Sequence, residues 1–462
     1  MSDEGIPPLI IDTFKFYYGK LLSGERGFIS RDDIVPVGKD EIADLETLNR
    51  FTEEGVRALK EAVIIKLNGG LGTSMGLSRA KSLIEVKDGY NFLDIIARQV
   101  LSLRKEHETD IPLVLMNSFS TDEDSTKFLE RYPELGSDIP LSFLQNKFPK
   151  VLKQDLSPAV WPLDPDLEWN PPGHGDIYCA LITSGMLDKL IMRGYQYAFI
   201  SNSDNLGGTM NVAALGYLVS NDFPFMMEVA EKTKADTKGG HIARLRQTGG
   251  LVLREIAQCP EEEIGEFQDI EVYKYFNTNN IWVNLVFLKD QLKEPGNIFK
   301  LPVIVNPKRI SSRDDSSPEV YQIETAMGSA ISIFERSAAV KVPKTRFAPV
   351  KRCQDLVALM SDCYVMTEDS GVIQNPQRRL GDIEIDLDDR YYRKIDQLQE
   401  RFPHGVPSLV DCKSFKVEGN VYFGRGIVIK GDVTITNPLS ERVSIPEGAV
   451  IDKDLLFDKN LT

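Results

Sequence analysis

The chain has 462 residues, 42% of them hydrophobic and 27% charged, with a net charge of −15; that length suits two or three domains around a large core. The negative balance argues against an extended nucleic-acid or anionic-membrane surface, which needs clustered Lys and Arg, and no apolar run approaches the roughly 18 residues of a membrane helix. Five scattered cysteines without a C-x-x-C pair and only four histidines argue against zinc, and together with an N-terminus lacking signal-peptide features they lead us to expect a reducing, cytoplasmic setting.

Residues 1–58 read as a polar helical segment packed on the main domain. From Asp40 to Asn49, apolar Ile42, Leu45 and Leu48 recur at spacing three, which predicts one face of a helix.

The stretch Ala62-Val63-Ile64-Ile65-Lys66-Leu67-Asn68 reads as a buried strand running into the glycine-rich loop Gly69-Gly70-Leu71-Gly72-Thr73-Ser74-Met75-Gly76. Glycines let the backbone take positive φ and approach a ligand closely. Successive exposed N–H groups make a nest for anionic oxygens, and Lys81 just beyond can bring a compact positive charge to a phosphate. The loop is not a Walker A motif, because no Gly-Lys-Ser/Thr follows. Nor is it G-x-G-x-x-G, because the third glycine position is Met75. A phosphate-cradling loop of the nucleotidyltransferase kind is the remaining ligand-binding reading; on the glycines alone, a tight turn without a ligand stays open.

Strand-like runs then alternate with helical segments up to about Tyr364: Leu113–Met116, Tyr197–Ile200, Pro224–Val229 and Ile281–Phe287. This alternation predicts a mostly parallel sheet covered by helices, with ligands beyond the carboxyl ends of the strands. Pro171-Pro172-Gly173-His174-Gly175-Asp176 reads as a rigid turn opening a helix, with Asp176 as its cap. Asp204, after the run Tyr197–Ile200, is a strand-end carboxylate suited to Mg²⁺, which takes one or two carboxylates plus substrate phosphates. Glu368–Arg401, with an acidic run at Asp382–Asp389, reads as a solvated linker or helix. Beyond it, Phe415, Val421, Ile427, Val433 and Leu439 recur every six residues between glycines, the pattern of a short parallel β-helix. It has too few steps to stand alone and must dock on the main domain or on another subunit. An acyltransferase built on hexapeptide repeats is the weaker reading of that period.

Taken in order, these motifs make the chain resemble eukaryotic-type UDP-glucose pyrophosphorylases from about Glu46 to about Leu456. Ser74 favours the UDP-glucose branch, because related pyrophosphorylases carry arginine there. Ala80 stands where the family usually has proline. The resemblance implies a Rossmann-like, mostly parallel α/β nucleotidyltransferase domain of GT-A-like type at 59–366, a linker at 367–408 and a left-handed parallel β-helix at 409–462. It implies a Mg²⁺-dependent reaction of UTP with glucose-1-phosphate that gives UDP-glucose and pyrophosphate. An anionic sugar phosphate needs no general base, so the protein's task is to align two polyanions and neutralise them.

The resemblance also distributes roles. Leu67, Asn68, Gly69 and Gly70 hold the nucleotide. Met116 packs near the base, and Gln145, whose amide offers a donor and an acceptor, reads the uracil edge beside Gly173. Asn202, Ser203 and Asp204 meet the substrate phosphates, with Asp204 as the metal ligand. His174 touches the sugar phosphate. Gly240, Glu255, Asn277 and Asn279 form the hexose pocket, in a region that also includes Glu228 and His241. Lys81 and Lys351 flank the α-phosphate as the two phosphate lysines. Two rivals stay open: the same chemistry on another hexose-1-phosphate, and a silent nucleotide-sugar sensor. The β-helix leaves two outcomes open, pairing in a homo-oligomer or a capped monomer.

Overall fold

The structure is a computed structural model that describes every residue except 78, 293–297, 312–313, 315 and 459–462. Its centre is a twisted sheet whose main path holds eight strands: β1 (Ala43–Asp44), β2 (Ala62–Asn68), β3 (Leu113–Asn117), β4 (Ser142–Leu144), β5 (Tyr197–Asn202), β6 (Phe225–Glu231), β7 (Tyr275–Asn284) and β8 (Ala338–Lys341). The spatial order is β1-β8-β6-β7-β5-β2-β3-β4. All neighbours on this path pair in parallel except at β7, which runs antiparallel to β5 and β6. A mixed α/β fold with a mainly parallel central sheet therefore stands as expected.

Every residue of β2 is buried, as a strand covered by helices on both faces requires. From β2 the chain moves to β3 and β4 on one side, while β5 pairs on the other. Such a reversal opens a crevice beyond the strand ends, where ligands bind in open α/β sheets.

The segment Asp40–Asn49 departs from the predicted α-helical face. A 3₁₀ turn (Lys39–Glu41), β1 and a 3₁₀ helix (Leu45–Phe51) occupy it, and the α-helix begins only at Thr52. Ile42, Leu45 and Leu48 are nonetheless buried. A strict spacing of three matches the three-residue turn of a 3₁₀ helix better than the 3.6 of an α-helix. The run Ile281–Phe287 also divides: β7 ends at Asn284, whose side chain accepts from the Val286 and Phe287 N–H groups and starts the helix Leu285–Gln291. An asparagine at that position satisfies the free donors of a new helix.

The expected linker holds a strand. Ile385, inside the acidic run, pairs in parallel with Phe415, which pairs in turn with Val433. The acidic residues alternate outward while Leu387 is buried, so charge on one face does not prevent pairing. Val421 pairs with Val443 and Val428 with Val450, again in parallel. Phe415, Val421, Ile427 and Val433 are buried, as their period predicted. This region docks on the catalytic part through Asp362, which accepts from the Leu409 and Val410 N–H groups and from Ser408. Among the described residues no helix is long and apolar enough to cross a membrane.

Candidate active site

Register brings the expected nucleotide residues into one row. Asn202 on β5 lies opposite Leu67 on β2, and Leu67 lies opposite Met116 on β3. Asn117 lies opposite Leu144 on β4, one residue before Gln145. The side chain of Gln145 covers Gly69 so closely that a Cβ there would fall 2.8 Å from Oε1, which is the close approach a glycine permits. Asn68 differs from the rest of its motif. Its amide is buried and donates to Asn117 Oδ1 and Ser125 Oγ, leaving only its backbone on the loop side. The side chain of Ser74 lies outside the described residues.

Gly72 and Gly76 have φ of 61° and 79° and bracket a 3₁₀ turn at Thr73–Met75. The Lys81 N–H donates to Gly70 O at 3.0 Å and closes the loop. Its ammonium then reaches across to Asp204 Oδ2 at 2.5 Å. Asp204 is fixed from behind, because its carbonyl accepts from the Val350 N–H at 3.2 Å. Lys351, the next residue, has no carboxylate within ion-pair distance among the described residues, and it lines a cavity of about 400 Å³.

Lys351 also ties the nucleotide side to the sugar side. Burial pushes the His174 imidazole down to about 4, and the Lys351 ammonium adds to that. Burial raises the Glu255 carboxyl, opposed by Lys351 and then Lys232. One cation thus acts on both groups. The carboxylate of Glu255 rests against Gly240, where a Cβ would fall 2.4 Å from Oε2. The Asn277 N–H donates to Gly240 O, and Asn277 and Asn279 exchange two hydrogen bonds of 2.8 and 3.0 Å. Asn279 sits at φ 60° in the middle of β7, opposite a register shift between Met227 and Val229. The kink brings Asn277 and Asn279 into contact with each other.

Three residues singled out in the sequence have partners in the interior. Glu228 is fully buried: its carboxylate accepts from Arg346 Nε and Nη2 and from Asn280 and Trp282. His241 is buried with its ring stacked on Tyr273 at 3.7 Å. Asp176 stands at the N-cap position of the helix Ile177–Thr183, but its side chain makes no cap hydrogen bond. It accepts from the Asn146 N–H and amide at 2.6 and 2.9 Å, and burial still raises it to about 6.

Other contributors carried no local signal. Asn205 accepts from the Ala348 N–H and donates to Arg346 O, holding the segment before Lys351. Lys66 is buried and donates to Ser201 Oγ and Gly208 O at 2.8 and 2.6 Å, pinning the loop that carries Asp204; burial drives its ammonium down to about 7. The run Thr325-Ala326-Met327-Gly328 also meets the site, through His174 and Asn277. Its small residues directly after a strand were the only hint available in the sequence.

Comparison with known proteins shows the family of the chain. The UTP–glucose-1-phosphate uridylyltransferase family matches residues 11–430. An enzyme of that name from Solanum tuberosum is 39% identical over 443 residues, covering 95% of this chain and 90% of that protein. The one from Saccharomyces cerevisiae is 36% identical over 445 residues, covering 96% and 87%. A Leishmania major UDP-glucose pyrophosphorylase variant in complex with UDP-glucose superposes with a TM-score of 0.91 at 42% identity, covering 99% of this chain and 97% of that one. The chain belongs to the UTP–glucose-1-phosphate uridylyltransferase family.

Proposed function

We propose that this protein transfers a uridylyl group from UTP to glucose-1-phosphate, giving UDP-glucose and pyrophosphate, and that it runs in both directions. The reading rests chiefly on the convergence of Lys81, Asp204 and Lys351 beyond the ends of β2 and β5, next to a glycine loop. Uracil would lie between Gly69, Met116, Gly173 and Gln145. The triphosphate would lie along Gly69–Gly70 toward Asn202, Ser203 and Lys81, and the hexose against Gly240, Glu255, Asn277 and Asn279.

A phosphate oxygen of the sugar attacks the α-phosphorus, and pyrophosphate leaves in line. The nucleophile is already anionic, so no side chain must take a proton. Lys81 and Lys351 lower the repulsion between the two polyanions and stabilise charge that builds on the α-phosphate. His174 stays neutral at physiological pH and binds phosphate as a hydrogen-bond donor.

Among the described residues no cluster of three or more His, Cys, Asp or Glu could cage a metal. A single carboxylate at Asp204 fits Mg²⁺, which keeps waters and takes most remaining ligands from substrate phosphates. Bound there, Mg²⁺ would supply further neutralisation of phosphate charge.

We read the C-terminal parallel coils as a short left-handed β-helix. Val450 and Leu456 are exposed on its last coil, and there we place a homo-oligomeric contact. Sedimentation of the full chain beside a Val450→Asp variant tests that contact, and a monomer for both removes it. All five cysteines are free and buried, in keeping with a cytoplasmic protein.

The deciding assay is pyrophosphate release with Mg²⁺, UTP and glucose-1-phosphate, run beside ATP, GTP and other sugar-1-phosphates. Release confined to the first pair is expected. Release with another sugar would overturn the hexose assignment, and nucleotide binding without any turnover would overturn catalysis.

A further inference from the structure

Met327 opens the 3₁₀ helix Met327–Ser332, and both of its backbone groups are engaged. Its N–H donates to His174 Nδ1 at 3.0 Å. Its carbonyl accepts from the Tyr178 hydroxyl at 2.7 Å. Tyr178 is fully buried on the helix Ile177–Thr183, and its ring packs on Phe299 with centroids 4.8 Å apart.

The same two segments meet again two residues upstream. The Thr325 N–H donates to Pro172 O at 2.8 Å. A Cβ on either Gly173 or Gly175 would come within 2.4 Å of Thr325 atoms. The 172–175 loop and the 325–327 segment are therefore in close contact, with no room for a side chain at Gly173 or Gly175.

This contact settles the imidazole. A neutral histidine has one ring nitrogen that donates and one that accepts. Nδ1 accepts from Met327, so the proton sits on Nε2, which has no acceptor among the described residues. The donor form thus depends on where the Met327 N–H points. That N–H shares its Cα with the carbonyl held by Tyr178.

We propose that Tyr178 is a positioning residue for the reaction: by anchoring Met327 it holds His174 as an Nε2–H donor toward the phosphate of the sugar-1-phosphate. The proposal rests on the reading of His174 as a phosphate-binding group. Tyr178 itself touches no substrate. Its hydroxyl sets which nitrogen of His174 does, and where that nitrogen lies.

The test combines ¹⁵N histidine spectra with kinetics on the full chain. The chain has four histidines, and a His174→Gln variant assigns the signal. Wild type should show a bare Nδ1 and a protonated Nε2 at position 174; the opposite tautomer would overturn the proposal without any variant. Tyr178→Phe should mix the tautomers and raise KM for glucose-1-phosphate several-fold while KM for UTP holds. The double variant Tyr178→Phe/His174→Gln should be no worse than His174→Gln alone, because the two act as one unit. Additive losses, or a Tyr178→Phe enzyme with wild-type spectrum and KM beside an impaired His174→Gln, would overturn the relay and leave His174 as a phosphate ligand. A His174→Gln enzyme with unchanged kcat and sugar-phosphate KM would overturn the His174 reading, and the relay with it.

Discussion

The Lys81 ammonium meets the Asp204 carboxylate at 2.5 Å across 123 residues of sequence. The contact joins the glycine loop to the end of β5. The two side chains keep 15% and 21% of their exposure, so the pair is reachable by a third charged group. On the proposed reading, a phosphate arriving with a metal ion would offer the lysine an anion and the carboxylate a cation, and the pair could exchange partners without burying a lone charge.

Removing Lys81 should therefore cost catalysis more than folding. Lys81→Ala is expected to lower kcat by ~10²–10³-fold, the usual loss for one electrostatic donor. Asp204→Asn should raise the Mg²⁺ concentration needed for half-maximal rate. A magnesium titration of pyrophosphate release checks both, and an unshifted titration for Asp204→Asn would remove that residue as the metal ligand.

Lys351 has no carboxylate partner of its own among the described residues, and its loss frees none. Lys351→Ala should raise the barrier by about 2–4 kcal/mol with the unfolding transition unchanged. Single-turnover kinetics with saturating UTP read this directly; normal turnover would exclude the role.

The Arg346–Glu228 pair should show the reverse pattern. It is buried and joined by Asn280 and Trp282. Removing one partner leaves a buried charge unpaired, which costs about 3–5 kcal/mol. Glu228→Gln should lower the midpoint of chemical unfolding strongly, and a midpoint equal to wild type would contradict the network.

Acid should destabilise the fold through its buried histidines. Burial drives His241 to about 2, helped by Lys232 and Arg254, and His174 to about 4. Both folded values lie below the unfolded one of roughly 6.5. The unfolded chain then binds more protons, so stability falls as pH drops from about 6.5 toward 4. Asp176, raised to about 6, opposes this over most of that window, from about pH 6 downward. His241→Gln should flatten the slope, as unfolding midpoints at pH 7 and pH 5 would show.

Asn279 carries a left-handed backbone in mid-strand at φ 60°. Asn279→Gly keeps that conformation and removes the amide, so it should raise KM for glucose-1-phosphate with little loss of stability. Asn279→Val should also destabilise by roughly 1–3 kcal/mol, because a β-branched residue resists positive φ. Equal stability for the two variants would show that the kink relaxes.

What could be read from the chain alone was local. The buried strand Ala62–Asn68, its glycine loop and the six-residue apolar period each announce themselves within one window, because strand alternation, glycine freedom and repeat spacing are short-range properties. Apart from the local 3₁₀ geometry of Leu45–Phe51 and the helix start at Asn284, the departures concern partners distant in sequence. Glu228 looks like a sugar ligand until Arg346, 118 residues away, accounts for its charge. Asp176 has the position of a helix cap but accepts from Asn146. The acidic run Asp382–Asp389 keeps its acidic side chains exposed in Glu384–Leu387, but parallel pairing with Cys412–Glu418 makes part of it a strand. Residue type and spacing determined which chemistry this protein can carry. Only the tertiary structure decided which charges face the cleft and which neutralise each other in the interior, because desolvation and ion pairing depend on neighbours the chain supplies from far away.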